Sequence, residues 1–290
     1  MRSFSEYNPI VIAVFFFSVA GVVMFSVNPA FSSVSLAGAV LLFTVMNGRK
    51  RLKLHLWLFT LFIILALANP LVSHNGRTVL FVLNDNPVTL EALLYGVNSA
   101  AMLVGTIYWF SSFTHIMTAE KLLYITGAFS PKISLVLSMA LRFVPMFRTQ
   151  AKKVSDAQKA MGLFKEDSII DDIRGYMRIF SILITWALEN GITTADSMTA
   201  RGYGIGRRTV FSRFRFTAAD IVFLAVDIIL LGVCSFGGMN MHFSFYPDIT
   251  LSAEKIPAIS GISAYILLVL MPVIIETEVT VKWKYLQSKI

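Results

Sequence analysis

The sequence has few charged residues for its length. Asp, Glu, Lys and Arg together make up 14% of its 290 residues, whereas a soluble domain has about 25%. Hydrophobic residues make up 56% of the chain, which contains 24 Phe. This composition excludes an ordinary soluble domain and indicates a chain that is largely embedded in lipid.

Cysteine is almost absent, and the histidines are scattered. Cys234 is the only cysteine, so no disulfide can form within the chain. The four histidines share no spacing that is typical of metal ligands; they are His55, His74, His115 and His242. We therefore predict no metal site.

The sequence also lacks the common catalytic patterns. It has no Gly-x4-Gly-Lys-Ser/Thr phosphate-binding loop, and no predicted strand precedes its glycine-rich stretch at 202–206. No Ser/His/Asp group and no pair of carboxylates emerges. We predict that the chain has no catalytic residues and is not an enzyme in its own right.

Six apolar runs approach the roughly 20 residues that a helix needs to cross a bilayer. The predicted spans are Pro9–Val27, Ala30–Met46, Leu54–Val72, Leu90–Phe113, Thr217–Phe236 and Pro257–Ile275. The first run follows Arg2, as in a signal peptide, but it is longer than the apolar core of a typical one. We expect an all-α membrane bundle of about six spans.

Lysine and arginine lie almost entirely on one side of these spans. With the N-terminus in the cytoplasm, the cytoplasmic segments are residues 1–8, 47–53, 114–216 and 276–290. They hold 23 of the 25 basic residues, and only Arg77 and Lys255 lie outside. Because positive residues favour the cytoplasmic side, we predict a multi-pass protein of the cell membrane with both termini in the cytoplasm. The net charge of +8 reflects this topology, and no nucleic-acid partner is needed to explain it.

A long cytoplasmic segment, 114–216, separates an N-terminal membrane domain, 1–113, from C-terminal membrane helices with a short tail, 217–290. Its apolar residues recur at helical spacing, which predicts two long amphipathic helices. The stripe predicted for the first helix is Leu141, Val144, Ala151, Val154, Ala157 and Met161. The stripe predicted for the second is Tyr176, Phe180, Leu183, Ala187, Ile192, Ala195 and Met198.

Both of these helices are predicted to end in the same way. The first closes with Ala160-Met161-Gly162 and the second with Ala200-Arg201-Gly202. Glycine just beyond a helix supplies a left-handed cap, and Arg in the last turn favours the negative end of the helix dipole. Good capping alone is therefore one explanation of these residues. Pro131 fits the start of the first helix, and Pro145 is predicted to kink it.

Four features of the chain occur together. An apolar N-terminal bundle is followed by Leu141-Arg142-Phe143-Val144-Pro145 and then by the two long helices with their Ala-x-Gly ends. The second end is extended, running from Ser197 to Gly204 with Arg208-Thr209 beyond it. This combination resembles the transmembrane (T) component of energy-coupling factor (ECF) transporters, the EcfT/CbiQ family. The resemblance covers most of the chain and is strongest over 141–209.

Two positions depart from the pattern of that family. Met161 stands where the first helix-end motif usually has Arg, and Gln150 stands where the preceding helix often has Glu. The first contact is then expected to be apolar, and Arg201 is expected to carry more of the polar interaction.

The resemblance implies a non-catalytic coupling subunit of an ABC importer for a vitamin or for a metal ion such as cobalt or nickel. Two cytoplasmic ABC ATPases would bind ATP and Mg²⁺, and this chain would hold no cofactor. A small substrate-binding membrane protein, the S component, would capture the substrate. The motifs at 160–162 and 200–202 would dock on the ATPases, and Pro145 would act as a hinge.

A few polar residues lie within or between the predicted spans. Asp220 and Asp227 are seven residues apart on one helix face, with Asp227 near the centre of its span. Acidic residues at such depth face the bundle interior or a partner, so Asp227 is predicted to contact the S component or an internal polar group. Asn98 and Ser99 are predicted to bond between helices. The outer segment 73–89 is predicted to form a turn.

Two other functional classes remain as alternatives. An autonomous secondary transporter or channel would have paired intramembrane charges or inverted repeats, and neither is visible. A membrane enzyme would need a catalytic group in the cytoplasmic segment. Copurification separates the classes, because only a coupling subunit requires two ATPases and a small membrane protein.

Overall fold

The computed structural model describes residues 3–47, 51–73, 76–83, 86–162, 169–206 and 214–287. In chain order its helices are a 3-10 turn (Phe4–Glu6), α1 (Pro9–Phe25), α2 (Pro29–Asn47), α3 (Leu52–Val72), α4 (Leu90–Ile116), α5 (Ala119–Phe129), α6 (Pro131–Ala160), α7 (Ile169–Ala200), α8 (Ala218–Met239) and α9 (Lys255–Gln287). Its strands are β1 (Val79–Leu83), β2 (Asn86–Thr89), β3 (Met241–Ser244) and β4 (Thr250–Ala253).

The chain divides into two compact units. The first combines Met1–Thr118 with Phe214–Ile290, and the second is Ala119–Arg213. In the first unit, α4 packs against α1, α2 and α3, while α9 packs against α2 and α8. The predicted all-α class is confirmed, since the described strands form two short hairpins.

Close contacts between small or aromatic residues hold the helices of the first unit together. Phe15 of α1 packs edge to face against Trp109 of α4 and Phe223 of α8, with ring centroids about 6 Å apart. A Cβ atom at Gly96 of α4 would lie 2.5 Å from the carbonyl oxygen of Ala66 in α3. Lipid supplies little hydrophobic drive between helices, so backbone approaches of this kind matter for their association.

Five of the described helices have the length and composition of membrane spans: α2, α3, α4, α8 and α9. α1 is apolar but has 17 residues, or about 25 Å of helix, which is the lower limit for crossing a bilayer core. The prediction of about six spans therefore corresponds to five full-length helices and a shorter one. α9 continues to Gln287, so most of the predicted tail at 276–290 extends the last helix.

Two antiparallel hairpins connect helices of the first unit. β1 pairs with β2, and β3 pairs with β4. The segment 73–89, predicted as a turn, contains the strands β1 and β2 as well, since the run Val79–Leu83 consists of aliphatic and aromatic residues that favour strands. Asn84 and Asp85, between the strands, lie outside the described residues. Near these hairpins, Arg77 Nη1 lies 2.7 Å from Asp248 Oδ2 in an exposed ion pair.

The second unit consists of α5, α6 and α7. α6 has 30 residues and α7 has 32, so both helices are about 45–48 Å long. The ring of Phe147 on α6 packs edge to face against Trp186 on α7, with centroids 5.6 Å apart. Ser134 Oγ on α6 donates to the Leu123 carbonyl of α5 over 3.0 Å. The two long helices predicted for this segment are confirmed.

The packed face of α6 differs from its predicted stripe. The buried or half-buried residues recur at Leu135, Met139, Phe143, Phe147, Gln150, Val154 and Gln158. Ala151 and Val154 of the predicted stripe are half-buried, whereas its other members are exposed, namely Leu141, Val144, Ala157 and Met161. The helix is apolar on more than one face, so the helical period alone selects no single face.

The packed face of α7 is rotated in the same way. It runs through Gly175, Ile179, Leu183, Trp186, Asn190, Thr194 and Met198. Four members of the predicted stripe are exposed instead, namely Tyr176, Phe180, Ile192 and Ala195. Leu183, Ala187 and Met198 of the predicted stripe are half-buried, so the prediction is right for part of the stripe only.

The two aspartates of α8 face the interior of the first unit. Asp220 accepts hydrogen bonds from the backbone N–H of Asn8 (2.9 Å) and of Thr217 (2.8 Å), which caps α8 and ties it to the start of α1. Asp227 is 1% exposed and accepts from Ser18 Oγ of α1 over 3.1 Å. The internal polar partner is thus Ser18, and this carboxyl group presents almost no surface to another subunit.

Asn98 and Ser99 behave differently, although they are neighbours on α4. Asn98 Nδ2 donates to the Val27 carbonyl over 2.8 Å, and Asn98 Oδ1 accepts from Ser32 Oγ of α2. Ser99 Oγ donates to the Gly96 carbonyl within its own helix. The predicted bond between helices is confirmed for Asn98 and is wrong for Ser99, whose short side chain bonds locally.

Candidate functional site

The end of α6 forms the first helix-end motif. The helix stops at Ala160, and Met161 follows with a backbone N–H that bonds the Ala157 carbonyl over 3.1 Å. Gly162 has a φ of +68° and donates to the Lys159 carbonyl over 3.0 Å. The left-handed conformation is the one that glycine adopts without steric cost. The chain therefore turns away at once, and the Met161 side chain is left 65% exposed.

The end of α7 forms the second motif. Tyr203 N–H donates to the Met198 carbonyl (3.0 Å), and Gly202 N–H donates to the Thr199 carbonyl (2.9 Å). These two bonds, with Gly202 at a φ of +81°, make a Schellman motif, which satisfies carbonyls at the end of a helix. Ala200 is exposed beside the cap.

Met161 and Arg201 occupy equivalent positions in the two motifs. Each is the residue between the last helical Ala and the left-handed Gly, and each has an exposed side chain. Among the described residues, the Arg201 guanidinium has no hydrogen-bond or carboxylate partner. The equivalence that the sequence suggested is therefore present in the backbone, while the two side chains offer an apolar tip and a cationic tip.

An apolar cavity lies beside the second motif. It has a volume of about 260 Å³ and is bounded by Met139 and Phe143 of α6 and by Met198 and Tyr203 at the end of α7. Met198 and Tyr203 are the residues whose side chains usually meet in a Schellman motif. The sequence analysis did not identify the contribution of α6, because only the packing of the two helices creates it.

The two motifs are separated along α6. The second motif lies beside Phe143, and the first motif begins 17 residues later at Ala160. At about 1.5 Å per residue, Ala160 is about 25 Å further along the helix. The structure therefore does not bring the two motifs into one site, and each forms a separate tip.

The remaining predicted site residues lie elsewhere or outside the described residues. Pro145 lies within α6, which continues as helix on both sides of it. Pro145 has no N–H, so the Leu141 carbonyl lacks its usual helical partner. Gln150 lies half-buried on the same helix. Arg208 and Thr209 fall outside the described residues. In the described part of the chain, no cluster of three or more His, Cys, Asp or Glu is suited to a metal ion.

A family model and several known proteins match this chain. A family model named CbiQ, described as cobalt transport protein, matches residues 2–210. The energy-coupling factor transporter transmembrane protein EcfT of Lactobacillus helveticus (strain DPC 4571) is 33% identical over 104 residues, which cover 35% of this chain and 38% of that protein. EcfT of Streptococcus thermophilus (strain ATCC BAA-250 / LMG 18311) is 35% identical over 105 residues, covering 34% and 40%.

A further match is to a protein of Bifidobacterium longum (strain NCC 2705) that is named a putative ABC transporter ATP-binding protein. It is 26% identical over 183 residues, which cover 59% of this chain and 23% of that protein. The matched region spans about two fifths of the length of the EcfT relatives. The family match extends over most of the chain and includes both helix-end motifs. The chain therefore belongs to the EcfT/CbiQ family of energy-coupling factor transporter transmembrane proteins.

Proposed function

We propose that this chain is the coupling subunit of an ECF-type ABC importer. Two cytoplasmic ATPases bind ATP and Mg²⁺ and dock on the two helix-end motifs. Their closing motion passes along α6 and α7 to an S component that captures a vitamin or a metal ion. The chain itself performs no catalysis and holds no cofactor.

The separation of two equivalent tips is the observation that carries this proposal. Each tip has a small exposed Ala, a cap residue with an exposed side chain and a Gly that turns the backbone away. An Ala permits close approach to a groove, and the following turn prevents a clash of the chain with the partner. Two tips about 25 Å apart along α6 suit two partner subunits better than one binding site.

Arg201 is the residue proposed to make the main polar link. Its guanidinium presents several N–H donors that match a carboxylate bidentately, and no described residue of this chain occupies them. If this pair is buried in the complex, removing one of its members leaves the other charge unpaired. The loss of binding free energy is then about 2–5 kcal/mol. A carboxylate in the ATPase groove is therefore the proposed partner.

The variant Arg201→Ala tests this link. We expect it to remain folded in the membrane, to recover at least tenfold less of one ATPase on affinity purification, and to lose ATP-driven uptake. Arg178→Ala is the matched control, because Arg178 is an exposed Arg of the same helix distant from the tip. Undiminished ATPase recovery and uptake in Arg201→Ala would refute the proposed role.

Met161 is proposed to make an apolar contact with the second ATPase. A flexible thioether adapts to an irregular apolar groove, whereas a carboxylate there would be desolvated without a partner. Met161→Asp should therefore lose the second ATPase, and Met161→Arg should retain it. Equal ATPase recovery from Met161→Asp and the unmodified chain would contradict the proposed contact.

Affinity purification of the tagged chain from membranes also separates the alternatives. A coupling subunit brings down two ABC ATPases and a small membrane protein, and the latter identifies the substrate class. An autonomous secondary transporter or channel brings down neither and transports without ATP. The proposed orientation, with both termini in the cytoplasm, places Lys153→Cys inside and Arg77→Cys outside. An impermeant thiol reagent applied to whole cells should then label only the second variant.

A further inference from the structure

An apolar cavity of about 390 Å³ lies between α2, α3 and α4. Leu58 and Tyr108 form its buried wall, and the exposed Leu56 and Phe59 form its open side on α3. Its two polar lining side chains contact each other, with His55 Nδ1 2.9 Å from Tyr108 Oη, while His55 Nε2 is buried with no hydrogen-bond partner among the described residues. The cavity is within the usual range for small-molecule sites, about 300–1,000 Å³, and it suits an apolar ligand.

The dimensions of the cavity match one leaflet of a bilayer. Its lining on α3 runs from Leu52 to Phe62, eleven residues that span about 15 Å of helix. The hydrocarbon core of a bilayer is about 30 Å thick, so this length is about half of the core. An acyl chain from a single leaflet would therefore lie along the cavity.

Positive charge lies at the end of the cavity where α3 begins. Arg51 and Lys53 flank Leu52, are exposed, and form no ion pair with a described residue. They belong to a sequence run, 49–53, in which four of five residues are basic. A basic cluster at such a position attracts anionic lipid.

We propose that this cavity binds one anionic phospholipid, with an acyl chain between α2, α3 and α4 and the phosphate on Arg51 and Lys53. Both parts of the ligand are required. A free phosphate would leave the apolar cavity unused, and a zwitterionic lipid would gain less from the two cations. The site is independent of the helix-end motifs and of the proposed ATPase docking.

Native mass spectrometry of the full chain in detergent tests the proposal. Phosphatidylglycerol should be retained about tenfold more than phosphatidylcholine with the same acyl chains, and glycerol 3-phosphate should not displace it. Arg51→Gln/Lys53→Gln should reduce phosphatidylglycerol binding about tenfold and leave phosphatidylcholine binding unchanged. The matched control Lys152→Gln/Lys153→Gln removes two exposed charges from α6 and should have no effect.

A second pair of variants tests the cavity itself. Val40→Trp would fill the space from α2, whereas Leu67→Trp adds the same ring to an exposed part of α3. Only Val40→Trp should reduce phosphatidylglycerol binding, and Leu36→Phe provides a milder filling if that variant does not fold. Equal retention of the two lipids, displacement by glycerol 3-phosphate, or equal binding by the filled and control variants would overturn the proposal.

Discussion

The contact between α8 and α9 depends on two facing glycines, Gly237 and Gly261. A Cβ atom added at Gly237 would lie 2.6 Å from the Gly261 Cα and 2.6 Å from the Pro257 carbonyl oxygen, whereas ordinary contacts begin near 3.4 Å. Because both neighbouring atoms belong to the backbone, no rotamer change relieves the clash, and the helices must move apart by about 1 Å. Overpacking of this kind costs about 1–3 kcal/mol.

Gly232 provides the matched control for Gly237→Ala. It lies on the same helix, and a Cβ there would meet nothing within 4 Å, so Gly232→Ala keeps only the gain of about 0.5–1 kcal/mol for Ala over Gly in a helix. We expect Gly237→Ala to be about 1–3 kcal/mol less stable than this control. At about 2–4 °C per kcal/mol, its thermal unfolding midpoint in detergent should be about 2–12 °C lower. Equal midpoints for the two variants would refute the inferred backbone contact.

Three further predictions concern Asn98, Pro145 and Arg77. Asn98→Ala should lower the free energy of unfolding by about 2–3 kcal/mol, since it leaves the Val27 carbonyl without its hydrogen-bond partner. Its neighbouring control, Ser99→Ala, should change that free energy by less than about 0.5 kcal/mol, and thermal unfolding of the two variants measures the difference. Pro145→Ala restores an N–H inside α6 and should stabilise that helix by about 1–3 kcal/mol, so faster amide hydrogen exchange there would contradict the structure. Arg77→Ala should change stability by no more than about 1 kcal/mol because its ion pair is exposed, and unfolding midpoints at low and high salt measure this.

The spans and the helix ends could be predicted because both are local properties of the sequence. In a membrane protein, a long apolar run has few structural alternatives to a spanning helix. A Gly just after the last helical residue indicates a left-handed cap, as at Gly162 and Gly202. The equivalent positions of Met161 and Arg201 follow from the same spacing. The last helix continues beyond the predicted span, because the charged residues after Ile275 remain helical to Gln287.

The packed faces of α6 and α7 could not be predicted from periodicity. Each helix carries apolar residues on several faces, so the pattern is compatible with more than one orientation, and the exposed positions of Val144 and Tyr176 depend on tertiary packing. The cavity beside the second motif arises for the same reason, since Met139 lies far from Tyr203 in the sequence. The different roles of Asn98 and Ser99 also could not be predicted from the sequence. A serine hydroxyl in a helix can donate to a backbone carbonyl of its own helix, whereas the longer asparagine side chain reaches a neighbouring segment.

The chemistry of the two tips has consequences for how partners would be distinguished. Their cap residues, Met161 and Arg201, have equivalent backbone positions, so a difference in binding must come from the side chains. A methionine gains from any apolar groove and discriminates weakly. Burial removes the hydration of an arginine side chain, and this desolvation free energy is recovered only when a carboxylate of the partner is correctly placed. In the proposed complex, the Arg201 tip would therefore select its ATPase and fix the register of docking, while the Met161 tip would add affinity with little selectivity.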